Sequence, residues 1–385
     1  MAPLSVSSVS ARAVSAPDVI TLGCRLNIAE SETIRALIGD RDMVVVNSCA
    51  VTNQAVKQTR VAIRRARRDR PSAQIVVTGC AAQIDPASFA AMPEVDRVIG
   101  NGDKLSPAAW ASAEPIVVGD IMGLRETAAH LTAAFATHAR AFVEVQNGCD
   151  HRCTFCAIPF GRGPSRSVPA GAVVERILRL VPALERLRLS SLDSVEIDDR
   201  LVDLVTSEPR VMPHLHLSLQ AGSDMILKRM KRRHSRAQAV ALVDRLKAAR
   251  PGIAIGADLI AGFPTEDATM FADSLALIAD CQIVHAHIFP YSPRAGTPAA
   301  RMPQVAPEVR RERASVLRAE AAAARTAWLR SLVGSVQDVI VEAPGTHGHA
   351  GNFAEVRFQG TIATGSLARV TIASATDTHL QGLPA

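Results

Sequence analysis

Three of the seven cysteines of this chain crowd into "NGCDHRCTFCAIP", as Cys149, Cys153 and Cys156. A Cys-x3-Cys-x2-Cys spacing offers a metal three thiolates, one short of the four ligands that close a structural zinc site. His151 lies inside the loop and could complete a Cys3His zinc site. A haem attachment needs Cys-x-x-Cys-His, and Ala157 follows Cys156, so that reading fails. A cubane iron–sulfur cluster ordinarily takes four thiolates. Three would leave one iron with an open position, and open positions are where metals do chemistry.

A second trio is spread more widely. "DVITLGC", "DMVVVNSC" and "QIVVTGC" end in Cys24, Cys49 and Cys80, which are 25 and 31 residues apart. The runs are short and rich in Val and Ile, and the spacing predicts buried strands. "AESETIRALIG" and "NQAVKQTRVAIRRARRDR" lie between them and read as helices, so the stretch folds as a parallel α/β sheet. The carboxyl edge of such a sheet forms the binding crevice. Three cysteines at that one topological position read as ligands, against the plainer alternative of three buried thiols. An odd cysteine count does not suit a disulfide framework, and thiols kept as ligands suit a reducing cytoplasm. Cys281 is left over and reads as structural.

Other elements must position these residues. From Phe142 to Tyr291 the βα alternation resumes, with strands expected at "FVEVQNGC", "LERLRLSSLD", "LHLSLQAG", "IAIGADLIAGFP" and "IVHAHIFPYSP". Repeated βα units with polar, Gly-rich exits suggest a partial barrel whose working edge lies at those exits. Residues 307–333 form one Ala- and Arg-rich helix, and short β runs separated by glycine then imply a small β-barrel. The expected divisions are a disordered tail (1–16), an α/β domain (17–105), a connector (106–139), the partial barrel (140–305), a linking helix (306–333) and the β domain (334–385).

The 385 residues carry a formal charge of +6, and no stretch approaches the roughly 20 apolar residues of a membrane span. The basic balance favours a polyanionic partner. Lys57, Arg60, Arg64 and Arg67 recur at helical spacing, with Arg68 beside them, and "LKRMKRRHSR" places Lys231, Arg232 and Arg233 after a strand exit. Two such runs are what phosphate contacts require, with a solvated basic face as the bland alternative. One Tyr and two Trp leave base stacking to Phe, His or Arg.

Cys149-x3-Cys153-x2-Cys156 at the end of the first strand of a partial barrel resembles the signature of the radical S-adenosylmethionine enzymes. With "TLGC", "NSC" and "TGC" upstream, the whole chain resembles their methylthiotransferases, which end in a small β domain often called TRAM. The resemblance implies two 4Fe–4S clusters, one on Cys149, Cys153 and Cys156 with S-adenosylmethionine, the other on Cys24, Cys49 and Cys80. It implies cofactor or substrate contacts at Phe155, Gln220, Ser223 and Asp258. It also implies tRNA as partner, an electron donor such as flavodoxin or ferredoxin, a monomer, a cytoplasmic location and no membrane. "NSCAVTNQAVKQTRVAIRRARR" is similar to the bacterial branch that modifies threonylcarbamoyladenosine beside the anticodon, at position 37. Sister branches act on isopentenyladenosine in tRNA or on a ribosomal protein.

One departure stands against this. Family members run six βα units in the middle domain, and five strands are counted here, with only 32 residues from Cys156 to Arg188. A lost strand would remove part of the cofactor pocket and bare its neighbours' backbone groups. A catalytically impaired iron–sulfur RNA-binding relative is the resulting alternative.

Overall fold

A computed structural model describes residues 18–125, 144, 146–167 and 170–384. The chain divides into two compact units. The first takes in the N-terminal 132 residues with residues 142–149 and 158–165; the second takes in the rest.

In the first unit the order is β1 (Asp18–Thr21), α1 (Arg25–Ile38), β2 (Met43–Ser48), α2 (Asn53–Asp69), β3 (Gln74–Gly79), α3 (Cys80–Ile84), α4 (Pro86–Ala90), β4 (Arg97–Ile99), α5 (Pro107–Ala111) and β5 (Ile116–Val117). β6 (Gln146–Asn147) and α6 (Ile158–Arg162) complete it. The five strands form one parallel sheet in the order β1-β2-β3-β4-β5. β2 is buried along its whole length, as an unbroken apolar run implies. Its alternate side chains feed two cores. Val44 and Val46 meet Ile63 and Ala66 of α2, while Met43 and Val45 meet Ile34 and Ile38 of α1. The two helices thus cover opposite faces. The Thr52 hydroxyl caps α2 by accepting from the Ala55 amide at 3.0 Å.

This sheet runs past residue 105, the boundary expected from sequence. β5 pairs with β4, and Trp110 of α5 is buried against the α1 side, so the start of the 106–139 connector belongs to the sheet domain. A two-residue strand and a five-residue helix are too short to give a period.

The second unit holds β7 (Arg166–Ser167), α7 (Ala170–Leu180), β8 (Ser191–Leu192), α8 (Asp199–Ser207), β9 (His214–Gln220), α9 (Asp224–Met230), α10 (Arg236–Ala249), β10 (Ala254–Ala261), α11 (Ala268–Asp280), β11 (Ile283–Pro290) and α12 (Pro307–Ser331). β8 to β11 form a parallel sheet in sequence order. Leu215, Leu217 and Leu219 of β9 and Ile255, Ala257 and Leu259 of β10 point into a core covered by the helices. Ala314 and Leu317 of α12 join that core, so this helix is part of the α/β layer rather than a bare link. Of the expected strand at "LERLRLSSLD", only Ser191–Leu192 and a single bridge from Leu187 to Val211 form. Of the expected strand at "FVEVQNGC", Gln146–Asn147 forms β6, and residues 142, 143 and 145 lie outside the described residues.

Among the described residues no further strand lies between α7 and β8, in agreement with the missing βα unit. The chain just before β8 is held from another side. Arg186 donates to the Asp338 carbonyl at 2.6 Å, and Arg188 to those of Ala350 and Gly351 at 3.1 and 3.0 Å. Those acceptors belong to a closed five-stranded barrel of β12 (Val336–Glu342), β13 (His347–Ala350), β14 (Glu355–Phe358), β15 (Leu367–Ala375) and β16 (Leu380–Pro384). Among the described residues, no helix is long and apolar enough to cross a membrane.

Candidate metal centre

Cys24, Cys49 and Cys80 follow directly on the exits of three adjacent strands. Cys24 caps α1, Cys49 succeeds Ser48, and Cys80 opens α3. Asn27 ties two of these exits together, its amide donating to the Leu22 and Ser48 carbonyls at 2.6 and 3.1 Å. The Ser48 hydroxyl accepts from the Ala82 amide at 3.2 Å, which ties the second exit to the third. Gly23 lies against Cys49 so closely that a Cβ on it would stand 2.7 Å from the Cys49 sulfur. All three thiols are free, with Cys49 and Cys80 buried and Cys24 exposed. Burial pushes the Cys49 thiol up, and the charges of Cys80 and Cys24 push it further, so the three sulfurs sense one another.

Beneath them is a network that the sequence reading missed. Lys104 donates to Glu30 at 2.6 Å, and Arg162 meets both Glu30 oxygens at 2.8 and 3.0 Å and Asn27 at 2.6 Å. Lys104 is fully buried and Glu30 and Arg162 nearly so. Burial works against the Glu30 carboxylate, yet Lys104 and Arg162 bring its pKa down to about 2. Burial also opposes charge on Arg162, but the Cys80 thiol and Glu30 hold it firmly protonated. Lys104 and Arg162 both face Glu30, and the Glu144 carboxyl, whose pKa burial and then the Glu30 charge push up, senses the same two cations. Asn101 donates to the Gly161 carbonyl at 2.7 Å and lies 3.6 Å from the Cys80 sulfur. These contacts join residues far apart in sequence, and no local pattern announces them.

The second cysteine trio divides between the units. Cys149 belongs to the first, its amide donating to the Gly163 carbonyl at 3.1 Å. Cys153 and Cys156 belong to the second. There Thr154 is stitched to α9, with N–H to the Met230 carbonyl at 3.1 Å and hydroxyl to that of Arg229 at 2.9 Å. Phe155 sits edge-on to Phe263, with ring centres 6.2 Å apart. His151 turns its ring nitrogens to Asp193 and Glu196, at 3.2 and 3.1 Å, and those carboxylates compete with any role in completing a zinc site.

Of the other expected contacts, Gln220 ends β9 with φ of 69°, and Ser223 is buried at the start of α9 with no capping bond from its side chain. Asp258 is not at a strand exit. It is the fifth of eight residues in β10, on the face away from the helices, 3.0 Å from His216 and 3.1 Å from His287. Burial opposes its charge, but those two imidazoles bring its pKa down to about 2. Paired His-x-His strings in "HLHLSLQ" and "HAHIFP" were the available signal for His216 and His287.

The basic residues separate into two groups. Lys57, Arg64, Arg68, Lys231 and Arg233 are exposed. Arg67 is spent on structure, donating to the carbonyls of Pro71, Ala73 and Glu94 and to Asp96. Arg60 donates to Ser88 at 2.9 Å and covers the Phe89 ring. The Arg232 side chain is buried, paired with Asp193, bonded to the Ser218 carbonyl at 2.8 Å and 3.5 Å from the Cys153 sulfur. A helical period does not tell a solvent-facing guanidinium from one that folds back onto carbonyls, which is why these three looked available for phosphate.

Residues 18–100 match the model of "Uncharacterized protein family UPF0004". Threonylcarbamoyladenosine tRNA methylthiotransferase MtaB of Rickettsia prowazekii (strain Madrid E) is 43% identical over 91% of this chain and 93% of its own. The protein of that name from Bacillus subtilis (strain 168) is 31% identical over 89% and 90%. Among solved structures, the radical S-adenosylmethionine methyltransferase TsrM from Kitasatospora setae covers 69% of this chain and 66% of its own, at 16% identity and a TM-score of 0.49. With near-complete coverage at 43% identity, the chain belongs to the threonylcarbamoyladenosine tRNA methylthiotransferase family.

Proposed function

We propose that this chain adds a methylthio group to carbon 2 of threonylcarbamoyladenosine at position 37 of tRNA, by radical chemistry. The observation that carries the reading is the gathering of Cys24, Cys49 and Cys80 at one sheet edge above a buried charged network. The donor set fits a cubane cluster with one iron left open: three thiols, none in a disulfide, whose negative charge Arg162 and Lys104 can balance. Cys149, Cys153 and Cys156 offer a second set of the same kind.

Bound there, two 4Fe–4S clusters and S-adenosylmethionine would supply a primary carbon radical and a sulfur position, as an unreactive aromatic C–H bond requires. The chain's own residues do the holding. Arg232, fixed by Asp193, points a guanidinium N–H at the Cys153 sulfur and helps orient that ligand. Asn101 turns its side-chain amide toward the Cys80 sulfur in the same way. Phe155, packed on Phe263, sets the loop between Cys153 and Cys156 and keeps water from one side of it. Gln220 and Ser223, with polar groups at the carboxyl end of β9, are assigned to the cofactor or substrate. Exposed Lys57, Arg64, Arg68, Lys231 and Arg233 are assigned to tRNA phosphates. A flavodoxin or ferredoxin supplies the electron, and the protein acts as a cytoplasmic monomer.

The test is nucleoside mass spectrometry of tRNA from cells carrying the gene, lacking it, or carrying Cys49→Ala. The 2-methylthio derivative of threonylcarbamoyladenosine is expected only with the intact gene. Its presence at equal level in all three strains would refute the assignment, and a change in the isopentenyladenosine derivative instead would move the chain to the sister branch.

A further inference from the structure

The face of β9, β10 and β11 away from the helices carries a cluster that contains no cysteine. Asp258 and His287 are direct partners across the β10–β11 pair, and His216 stands two residues below Asp258's level on β9, opposite Gly256. Gly256 leaves the room the imidazole occupies, since a Cβ there would lie 2.4 Å from His216 Nδ1. The ring consequently lies across β10 toward Asp258. His216 Nε2 is 3.0 Å and His287 Nδ1 is 3.1 Å from Asp258 Oδ1, and the three atoms lie within 4.8 Å of one another. The two rings are 4.5 Å apart.

We infer that His216 Nε2, Asp258 Oδ1 and His287 Nδ1 form a binding site for one divalent transition-metal ion of the zinc class. Three features of the geometry argue for it. Metal–ligand bonds of about 2.0–2.2 Å at tetrahedral angles hold ligand atoms about 3.3 Å apart, so two of the three separations need only a few tenths of an ångström to accept an ion. Two imidazoles with one carboxylate are a donor set that first-row divalent ions prefer over calcium or magnesium. Asp258 is largely buried, and among the described residues its ion-pair partners are these two imidazoles, with no Lys or Arg. A buried carboxylate in that position is stabilised by a cation it can coordinate. The His287 side chain is 62% exposed, which leaves an entry path and open coordination positions on the solvent side. The site shares no ligand with either cysteine trio, and it does not depend on the function proposed above.

The test uses the full chain, reconstituted anaerobically with iron and sulfide, incubated with Zn2+, desalted and analysed for iron and zinc by mass spectrometry. Zinc held by cysteines is common to wild type and variants and cancels, so the readout is the difference between them. Wild type is expected to retain one zinc more than Asp258→Asn, with equal iron. His287→Ala, altered at an exposed side chain and so the variant less disturbing to the fold, should bind that zinc at least about tenfold more weakly in a competition with a chromogenic chelator. Equal zinc content and equal chelator competition in wild type and His287→Ala would overturn the site.

Discussion

Replacing Glu30 by Gln isolates the energetics of the buried network. The carboxylate sits at 2% side-chain exposure between Lys104 and Arg162, and its pKa of about 2 instead of 4.5 corresponds to about 3 kcal/mol of folding free energy at neutral pH. That figure agrees with the about 3–5 kcal/mol lost when one partner of a buried ion pair is removed. Gln fills the same volume but leaves two buried cations facing each other. Arg162 cannot shed its proton, whereas Lys104, whose pKa burial already lowers, can. That escape keeps the loss near 3 kcal/mol. The double variant Glu30→Gln with Lys104→Met removes one cation and should recover half or more of it, a non-additivity that a merely steric effect would not give. Trp110 is a suitable reporter: it is buried, and its indole donates to the Lys104 carbonyl at 2.7 Å. Urea unfolding followed by fluorescence, in a Trp328→Phe background that silences the other tryptophan, gives the free energies. The sign with pH follows from the depressed pKa. The Glu30 contribution is present above pH 4.5 and lost as pH falls from 4.5 toward 2, so Glu30→Gln should flatten that window. A Glu30→Gln variant within about 1 kcal/mol of wild type, or an additive double variant, would refute the charge argument.

Reversing Lys57, Arg64 and Arg68 to Glu together should weaken tRNA binding and reduce its salt dependence. Arg67→Ala should instead lower stability with the salt slope unchanged, because that guanidinium is bonded to the protein itself. Filter binding across a salt series separates the two, and a loss of salt slope in Arg67→Ala would contradict the division. Gly148→Ala forces a side chain onto a residue at φ 74° whose Cβ would lie 1.9 Å from the Pro164 carbonyl oxygen, and so displaces Cys149. Iron per reconstituted chain should fall from about eight to about four with the circular dichroism spectrum retained, and an unchanged iron count would show that Cys149 tolerates the shift. Burial, followed by the charge of Arg325, drops the His285 pKa to about 3. Unfolded chains take up a proton below about pH 6.5 that the folded protein refuses, so wild type should lose about 2 kcal/mol between pH 7 and 5 from this residue. His285→Phe should lack that loss, and identical pH slopes would disprove the assignment.

Much of this was readable from short-range pattern. The buried strand "MVVVNS" opens with four consecutive apolar residues, and Ile63 and Ala66 repeat at helical spacing, so β2 and α2 follow from local pattern alone. Cys24, Cys49 and Cys80 were legible for a different reason, since each stands just past a strand end and the carboxyl edge of a parallel sheet is a fixed topological address. What stayed hidden depends on long-range partners. Glu30, Lys104 and Arg162 are 58 to 132 residues apart and look like ordinary surface charges until the chain closes around them. Arg67 and Arg232 misled in the opposite sense, as a basic run records charge but not which carbonyls the side chain can reach. The expected strand at "IAIGADLIAGFP" already holds Asp258 in its middle, and β10 runs three residues past it to Ala261, so an assignment to the strand exit does not follow.

The cysteine trios share a local device that joins these two kinds of information. Cys24, Cys80 and Cys149 each follow a glycine, and those glycines have φ of 100°, 92° and 74°. A left-handed residue at a strand exit turns the chain sharply, so that the next side chain is presented at the edge instead of continuing the alternation of the strand. The close approaches at these turns are to other loops of the same site: Gly23 to Cys49, Gly79 to the Ser48 carbonyl, Gly148 to that of Pro164. A Gly-Cys pair after a Val- and Ile-rich run therefore encodes both the bend and the packing that the thiol needs. Cys49 lacks the glycine, following Ser48 instead, and it is the thiol that the Gly23 turn packs against. One thiol held by packing and its neighbours presented by tight turns give a three-sulfur edge with little freedom to rearrange, which is the property a cluster with one open iron demands of its protein.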